Sequence, residues 1–392
     1  MAQSKPSRNA WFVVLAIVLL CVPLILSIAW GAYLSDAAYR TLQVARDWGA
    51  PVYDSQLLTQ APLMVGLMAA AGEYAPKVGL VFSALGWSAT AVLVFYSLRA
   101  AGRPLAALIT PLLLVFNPLV VTTSGTEYSW VLALGWTAVA LTVFSWGSAK
   151  RAAWLKLVLL ILLLGLHFNA ATILFALALL AIDVYNGRAG WLPFILVAAA
   201  SFLWGLIIIP RAGGSPVVDP VLWLQNGARL LANRQLYWLF VPFVLAGVWD
   251  VWNSKQPTAI SYQPSAINHQ AIEGERVAPL QQLFLPLFLW VVAAILARDT
   301  FAPVLAAVTA VALAGLGAAW LSRWVLMSGR LEIDQRRAAL LVPALVTLPL
   351  LLVSLLTLWD FYNTRPLQQA ELRDQAANWL LENADPQATL YA

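Results

Sequence analysis

Apolar residues run along this chain in stretches of bilayer length, broken by short polar segments. Trp11 to Tyr33 carries no charged side chain, and neither does Leu105 to Thr126. Each stretch exceeds the roughly 20 residues that cross a hydrocarbon core at about 1.5 Å per residue. Continued along the sequence, the pattern predicts about eleven helical spans, over residues 11–33, 78–98, 105–123, 128–147, 152–167, 169–185, 191–209, 235–252, 281–296, 301–321 and 338–358. The expected fold is therefore all-α, a polytopic transmembrane helical bundle. The spans at 152–167 and 169–185 are short and nearly fused, so length alone fits one long helix or a broken pair. Two loops are long. Residues 35–77 form an outer loop after the first span. Residues 253–282 are polar and rich in Pro, Ser and Gln, a composition that cannot bury enough apolar surface to fold. They read as a flexible cytoplasmic linker between an N-terminal bundle (1–252) and a C-terminal three-span bundle (283–358). Residues 359–392 form an outer C-terminal segment.

Composition agrees with this pattern. Hydrophobic residues make up 61% of the chain, charged residues 10%, and mean hydropathy is +0.79. A soluble domain of this length needs far more charge to cover its surface. The net charge of +5 raises nucleic acid as a partner, but the placement of the charges argues against it. Lys and Arg cluster in every second loop, the pattern of a topology signal rather than a binding stripe.

With the N-terminus inside and the C-terminus outside, about 14 of the 23 basic residues fall in inner loops. Among them are Arg99, Arg103, Lys150, Arg151, Lys156, Arg323, Arg336 and Arg337. Merging the fifth and sixth spans would invert every later loop and spoil the agreement at Arg323 to Arg337. The expected location is the plasma (inner) membrane, with lipid as the first partner. Lys5 and Arg8 precede the first run as in a signal peptide, yet the run is too long for an h-region and no small-residue cleavage site clearly follows. A retained first span is expected. Trp and Tyr recur near the proposed span ends, at Trp30, Tyr33, Trp87, Tyr128, Trp130, Trp249, Trp252 and Trp320 among others. That is the aromatic belt of a membrane protein, with sugar stacking as a second role for one or two of these rings. Cys21 is the only cysteine, and His167 and His269 show no zinc-type spacing.

Acidic residues are scarce, so their positions carry information. Asp36 follows the first span. The segment SDAAYRTLQVARDWG puts Ala38, Leu42, Ala45 and Trp48 on one side and Arg40, Gln43 and Asp47 on another. It predicts a short amphipathic helix on the outer membrane surface. Glu127 sits in the very short outer loop SGTEY. A carboxylate at that depth costs free energy unless it is paired or lines a water-filled cavity. Taken singly, each acid reads first as a solvated, headgroup-level group.

The stretch SDAAYRTLQVARDWGAPVYDSQLLTQAPL resembles the first outer loop of the GT-C membrane glycosyltransferases, in the branch of protein O-mannosyltransferases and aminoarabinose transferases. That family carries an acid, a second acid, a small residue and Tyr, then a helix, a Gly, a Tyr and a Pro that opens the next span. The matching positions are Asp36, Ala37, Ala38, Tyr39, Gly49, Tyr53 and Pro62. TSGTEYSWVLALGWTAVAL is similar to the family's second outer loop, with Glu127 at its acid. QAANWLLENADPQATLYA resembles the start of its outer soluble domain. Three departures stand out. Ala37 replaces the usual second acid, HFNAA at His167 to Ala171 stands where relatives often have a basic turn, and the sequence ends at Ala392, where the outer domain is expected to begin.

The resemblance implies a GT-C-like bundle that moves a sugar from a polyprenyl-phosphate carrier to an acceptor outside the membrane. Attack at the anomeric carbon calls for a carboxylate base, for which Asp36 is the candidate. The lipid-phosphate leaving group calls for fixed cations near the headgroups, for which Arg40, Arg211 and Arg298 are candidates, each also readable as an ordinary headgroup contact. Tyr39 joins them by its place in the motif. Glu127 is expected either to orient the acceptor or to hold a divalent ion; two lone acids make a poor octahedral cage, so no tightly bound metal or cofactor is expected. His167 and Asn169, between two short helices, either line a cavity or make an interhelical hydrogen bond. A competing reading is a non-catalytic subunit of a larger membrane-protein complex, favoured by Ala37 and the early stop. A solute transporter ranks third, because mid-span positions are almost purely apolar and no internal repeat is evident.

Overall fold

The computed structural model describes residues 61–117, 128–144, 149–187, 190–208, 239–253, 280–297, 299, 301–328, 338 and 341–356. The described residues form helices and no strand. In chain order the helices are α1 (Pro62–Ala71), α2 (Ala75–Ala100), α3 (Pro104–Val115), α4 (Tyr128–Val143), α5 (Ala149–Leu166), α6 (Ala170–Tyr185), α7 (Trp191–Ile208), α8 (Phe240–Asn253), α9 (Leu280–Leu296), α10 (Ala302–Met327) and α11 (Leu341–Leu356). Helices α2 to α11 fall on ten of the expected spans. Two, Lys77–Ala100 and Ala302–Met327, are long and apolar enough to cross a membrane. The first expected span, most of the outer loop and most of the linker lie outside the described residues.

Local chemistry sets several boundaries. α1 and α3 open on proline, whose missing N–H would have no intrahelical partner there. α2 and α6 are followed by Gly102 and Gly187 at φ 72° and 66°, the left-handed conformation that reverses a helix end cheaply only at glycine. The doubtful stretch between the fifth and sixth spans is a broken pair. Helix α5 stops at Leu166, and α6 starts afresh behind Asn169, whose Oδ1 accepts from the Ala171 N–H at 3.0 Å.

α1 was not expected. It lies within the proposed outer loop and buries Met64, Val65 and Met68 while packing on α2 and α5. Its ten residues are too few to span a bilayer, so a search for bilayer-length runs passes over it.

The core centres on α4, which is buried along nearly its whole length among α2, α5, α6 and α9. Trp290 of α9 enters this core where α4 has Gly135: a Cβ there would lie 2.3 Å from the indole ring. α10 packs against α3 and, along its length, against α8. At two glycines the α8–α10 contact brings backbone against backbone. A Cβ on Gly317 would sit 1.8 Å from the Phe243 carbonyl oxygen, and one on Gly247 would sit 2.0 Å from that of Leu313. Small residues at a helix crossing let backbones meet this closely, the habit of helices that pack in lipid. Gly317→Ala is therefore expected to part the helices and destabilise the fold by about 1–3 kcal/mol. Gly66→Ala, with nothing within 4 Å of its Cβ, should be nearly neutral. Thermal unfolding of both variants in detergent checks this.

Polarity is distributed inside out. Trp154, Leu155, Val158, Ile161 and Leu162 of α5 are exposed, as are Leu341, Leu345, Leu348, Leu352 and Leu356 of α11. Lys156, Asp183, His167, Asp250 and Asp299 are buried instead. Lys156 of α5 donates to Asp183 Oδ2 of α6, joining the two helices near the end opposite Asn169.

Candidate functional site

Three of the segments assigned to outer loops meet at one end of the bundle. They are the start of α4, the α5–α6 break and the α9–α10 turn. His167, after the last turn of α5, and Asp299, in the α9–α10 turn, carry the chemistry. Nε2 of His167 and Oδ2 of Asp299 are hydrogen-bonded at 2.8 Å, with side chains 5% and 2% exposed. The two atoms share one proton: with Asp299 ionised, the carboxylate accepts and Nε2–H donates.

The turn that presents Asp299 is held by its own backbone. The Asp299 N–H donates to the Ala294 carbonyl at 2.9 Å, closing α9, and the Ala302 N–H donates to the Asp299 carbonyl at 3.1 Å. Oδ1 accepts from the Phe301 N–H at 3.0 Å, so the carboxylate also satisfies a donor at the entry to α10. One oxygen thus fixes the turn and the other reaches His167, 132 positions away in sequence.

Aromatic rings close over the pair. Tyr128 meets the imidazole edge-to-face at 5.7 Å, and Phe301 lies 5.3 Å from it. Phe301 continues to Trp290 at 5.5 Å, and Trp290 stacks on Phe175 at 4.1 Å. These contacts add orientation to apolar burial. They exclude water from the hydrogen bond, which strengthens it and makes loss of either partner costly. The geometry holds a proton between imidazole and carboxylate. It also ties four helix ends into one rigid platform, with Tyr128 the residue after Glu127 and Asp299 the residue after Arg298.

Of the residues singled out in the sequence, Asp36, Tyr39, Arg40, Glu127, Arg211 and Arg298 lie outside the described residues. His167 makes the buried interhelical hydrogen bond. Asn169, half-buried, caps α6. Among the described residues, no three His, Cys, Asp or Glu side chains gather as a metal site would require. Sequence reasoning passed over Asp299, Asp183 and Asp250. The signal for all three was their scarcity: an acid inside or beside a bilayer-length apolar run needs a partner. Comparison with protein-family models, with curated proteins and with solved structures gives no match for this chain.

Proposed function

We propose that this chain is a multi-pass integral membrane glycosyltransferase. It takes a sugar from a polyprenyl-phosphate carrier and passes it to an acceptor on the extracytoplasmic side. The membrane part of the reading is supported by the inside-out polarity: wide apolar faces outward and charges paired within, which water would not tolerate but lipid favours. The observation that carries the site is the meeting of Tyr128, His167, Asp299 and Phe301. The charge count assigns the loops bearing them to the outer side, and Glu127 and Arg298 adjoin them in sequence.

In this reading the acceptor oxygen or nitrogen attacks the anomeric carbon while Asp36 takes its proton. The bond from that carbon to the carrier's phosphate oxygen breaks, and the polyprenyl phosphate leaves against Arg40, Arg211 and Arg298. Glu127 orients the acceptor and Tyr39 lines the site. His167 and Asp299 tie together the helix ends that adjoin Glu127 and Arg298 in sequence. The test is transfer of labelled sugar from a polyprenyl-phosphate donor by the purified chain in proteoliposomes.

A second reading, a non-catalytic subunit of a membrane complex, is favoured by Ala37 and by the closed aromatic cover over His167 and Asp299. It gains if the native chain transfers no sugar from any common donor.

Orientation has its own test. In a cysteine-free background made with Cys21→Ser, an impermeant maleimide added to intact cells should label Ser124→Cys in the α3–α4 loop. It should reach Ser265→Cys in the linker only after the cells are opened. Labelling of the linker position in intact cells would reverse the topology.

A further inference from the structure

Opposite the His167–Asp299 end, three helices bring charged groups together in an uneven ratio. Arg103, at the α2–α3 corner, donates from Nη2 to Asp250 Oδ1 of α8 at 2.9 Å. Arg323 of α10 places its Nη2 3.7 Å from the other oxygen, Oδ2. Among the described residues, two guanidinium groups therefore share one carboxylate, and one positive charge is left over. Hydrogen bonds saturate neither side: among the described residues, Arg103 Nε and Asp250 Oδ2 are both buried with no hydrogen-bond partner. Arg323 is open to the outside, its side chain 41% exposed, while Asp250 is 9% exposed. Arg99 is exposed at the same corner.

The depth of this cluster is marked by indoles. Trp249 and Trp252 flank Asp250 on α8, Trp324 follows Arg323 on α10, and all three are exposed. Indole rings favour the headgroup layer of a bilayer. An accessible guanidinium with surplus charge at that layer faces lipid phosphates, which its planar fork of donors fits in bidentate fashion.

We propose that Arg103 and Arg323, held in place by Asp250, form a binding site for the phosphate of an anionic phospholipid in the cytoplasmic leaflet. The proposal rests on the membrane reading above and concerns the face opposite the sugar-transfer site. Asp250 sets the spacing of the two guanidiniums and cancels only half their charge. Arg103 lies mostly under cover and orients the site, and Arg323 meets the phosphate oxygens.

The test uses the full chain, purified in detergent, stripped of lipid and titrated with phosphatidylglycerol or phosphatidylcholine. Bound lipid is counted by native mass spectrometry. The native chain should retain phosphatidylglycerol in preference to phosphatidylcholine. Arg323→Gln should reduce that preference about fivefold, the usual contribution of one basic residue at an anionic membrane surface. Asp250→Asn, which keeps the shape and removes the competing charge, should strengthen it. A variant that fails to fold is seen in its thermal melt, and Arg323→Lys then stands in, expected to keep the charge but lose part of the preference. Equal retention of both lipids, or an unchanged preference in Arg323→Gln, overturns the site. Washing membranes with alkaline carbonate separates the two claims. A chain released by carbonate sinks the membrane reading itself, whereas a retained chain without lipid preference sinks only the lipid site.

Discussion

Asp36→Asn is expected to leave the protein folded in the membrane and to lower sugar transfer by about 10²–10⁴-fold, the contribution of a general base. Asparagine is nearly isosteric with aspartate, so the packing of the surface helix expected at residues 35–49 should survive. The amide lacks the basic oxygen that takes the acceptor's proton as the bond to the anomeric carbon forms. Leu42→Ala, on the apolar side of the same helix, should lower activity only in part by loosening its seat on the membrane. The measurement is labelled-sugar transfer in proteoliposomes, with a thermal melt of each variant alongside. Full activity in Asp36→Asn would remove Asp36 as the base. A matching loss of melting temperature would assign the effect to folding instead.

Asp183→Leu should destabilise the bundle by about 3–5 kcal/mol, because it takes the carboxylate from a buried ammonium. Lys156 is 1% exposed and Asp183 2%. At that depth the chain cannot substitute water for the lost counter-charge. The double variant Lys156→Met with Asp183→Leu should recover most of the loss, since replacing both ions of a buried pair by apolar side chains is often neutral or stabilising. Melting temperature and detergent-soluble yield of the two single variants and the double variant form the cycle. A double variant as unstable as Asp183→Leu alone would show that the pair carries more than mutual neutralisation, such as a contact made by the Lys156 stem.

A residue's place along the chain is legible in the sequence, whereas its partner across the bundle is not. Asp36 comes from a motif and a position along the chain. Apolar periods likewise anticipate the helices well: the spans drawn at 169–185 and 281–296 differ by one residue at one end from Ala170–Tyr185 and Leu280–Leu296. Charge bias separates α5 from α6 correctly, where length alone is ambiguous. Partnership is another matter. Lys156 and Asp183 both stand in the sequence as isolated charges beside apolar runs, and so do His167 and Asp299. Nothing in a linear pattern says which helix turns toward which. An acid in a short loop between apolar runs, such as Asp299, reads first as solvated. Only the fold shows a group withdrawn from water, its side chain 2% exposed and hydrogen-bonded to a His167 that Tyr128 and Phe301 pack against. α1 escaped for a different reason: the length rule that finds spans is blind to a helix that packs on the bundle without crossing it.

The bare backbone contact between α8 and α10 also sets a clock. Gly317 is synthesised about 70 residues after Gly247, which at about 5–20 residues per second leaves α8 waiting roughly 4–14 s for the partner its glycine face requires. Asp250 rides on the waiting helix. Its first counter-ion, Arg103, emerged from the ribosome well before it, whereas Arg323 arrives only with α10. The order of translation therefore gives the carboxylate a partner on arrival, and the second arginine comes last, as the two backbones close.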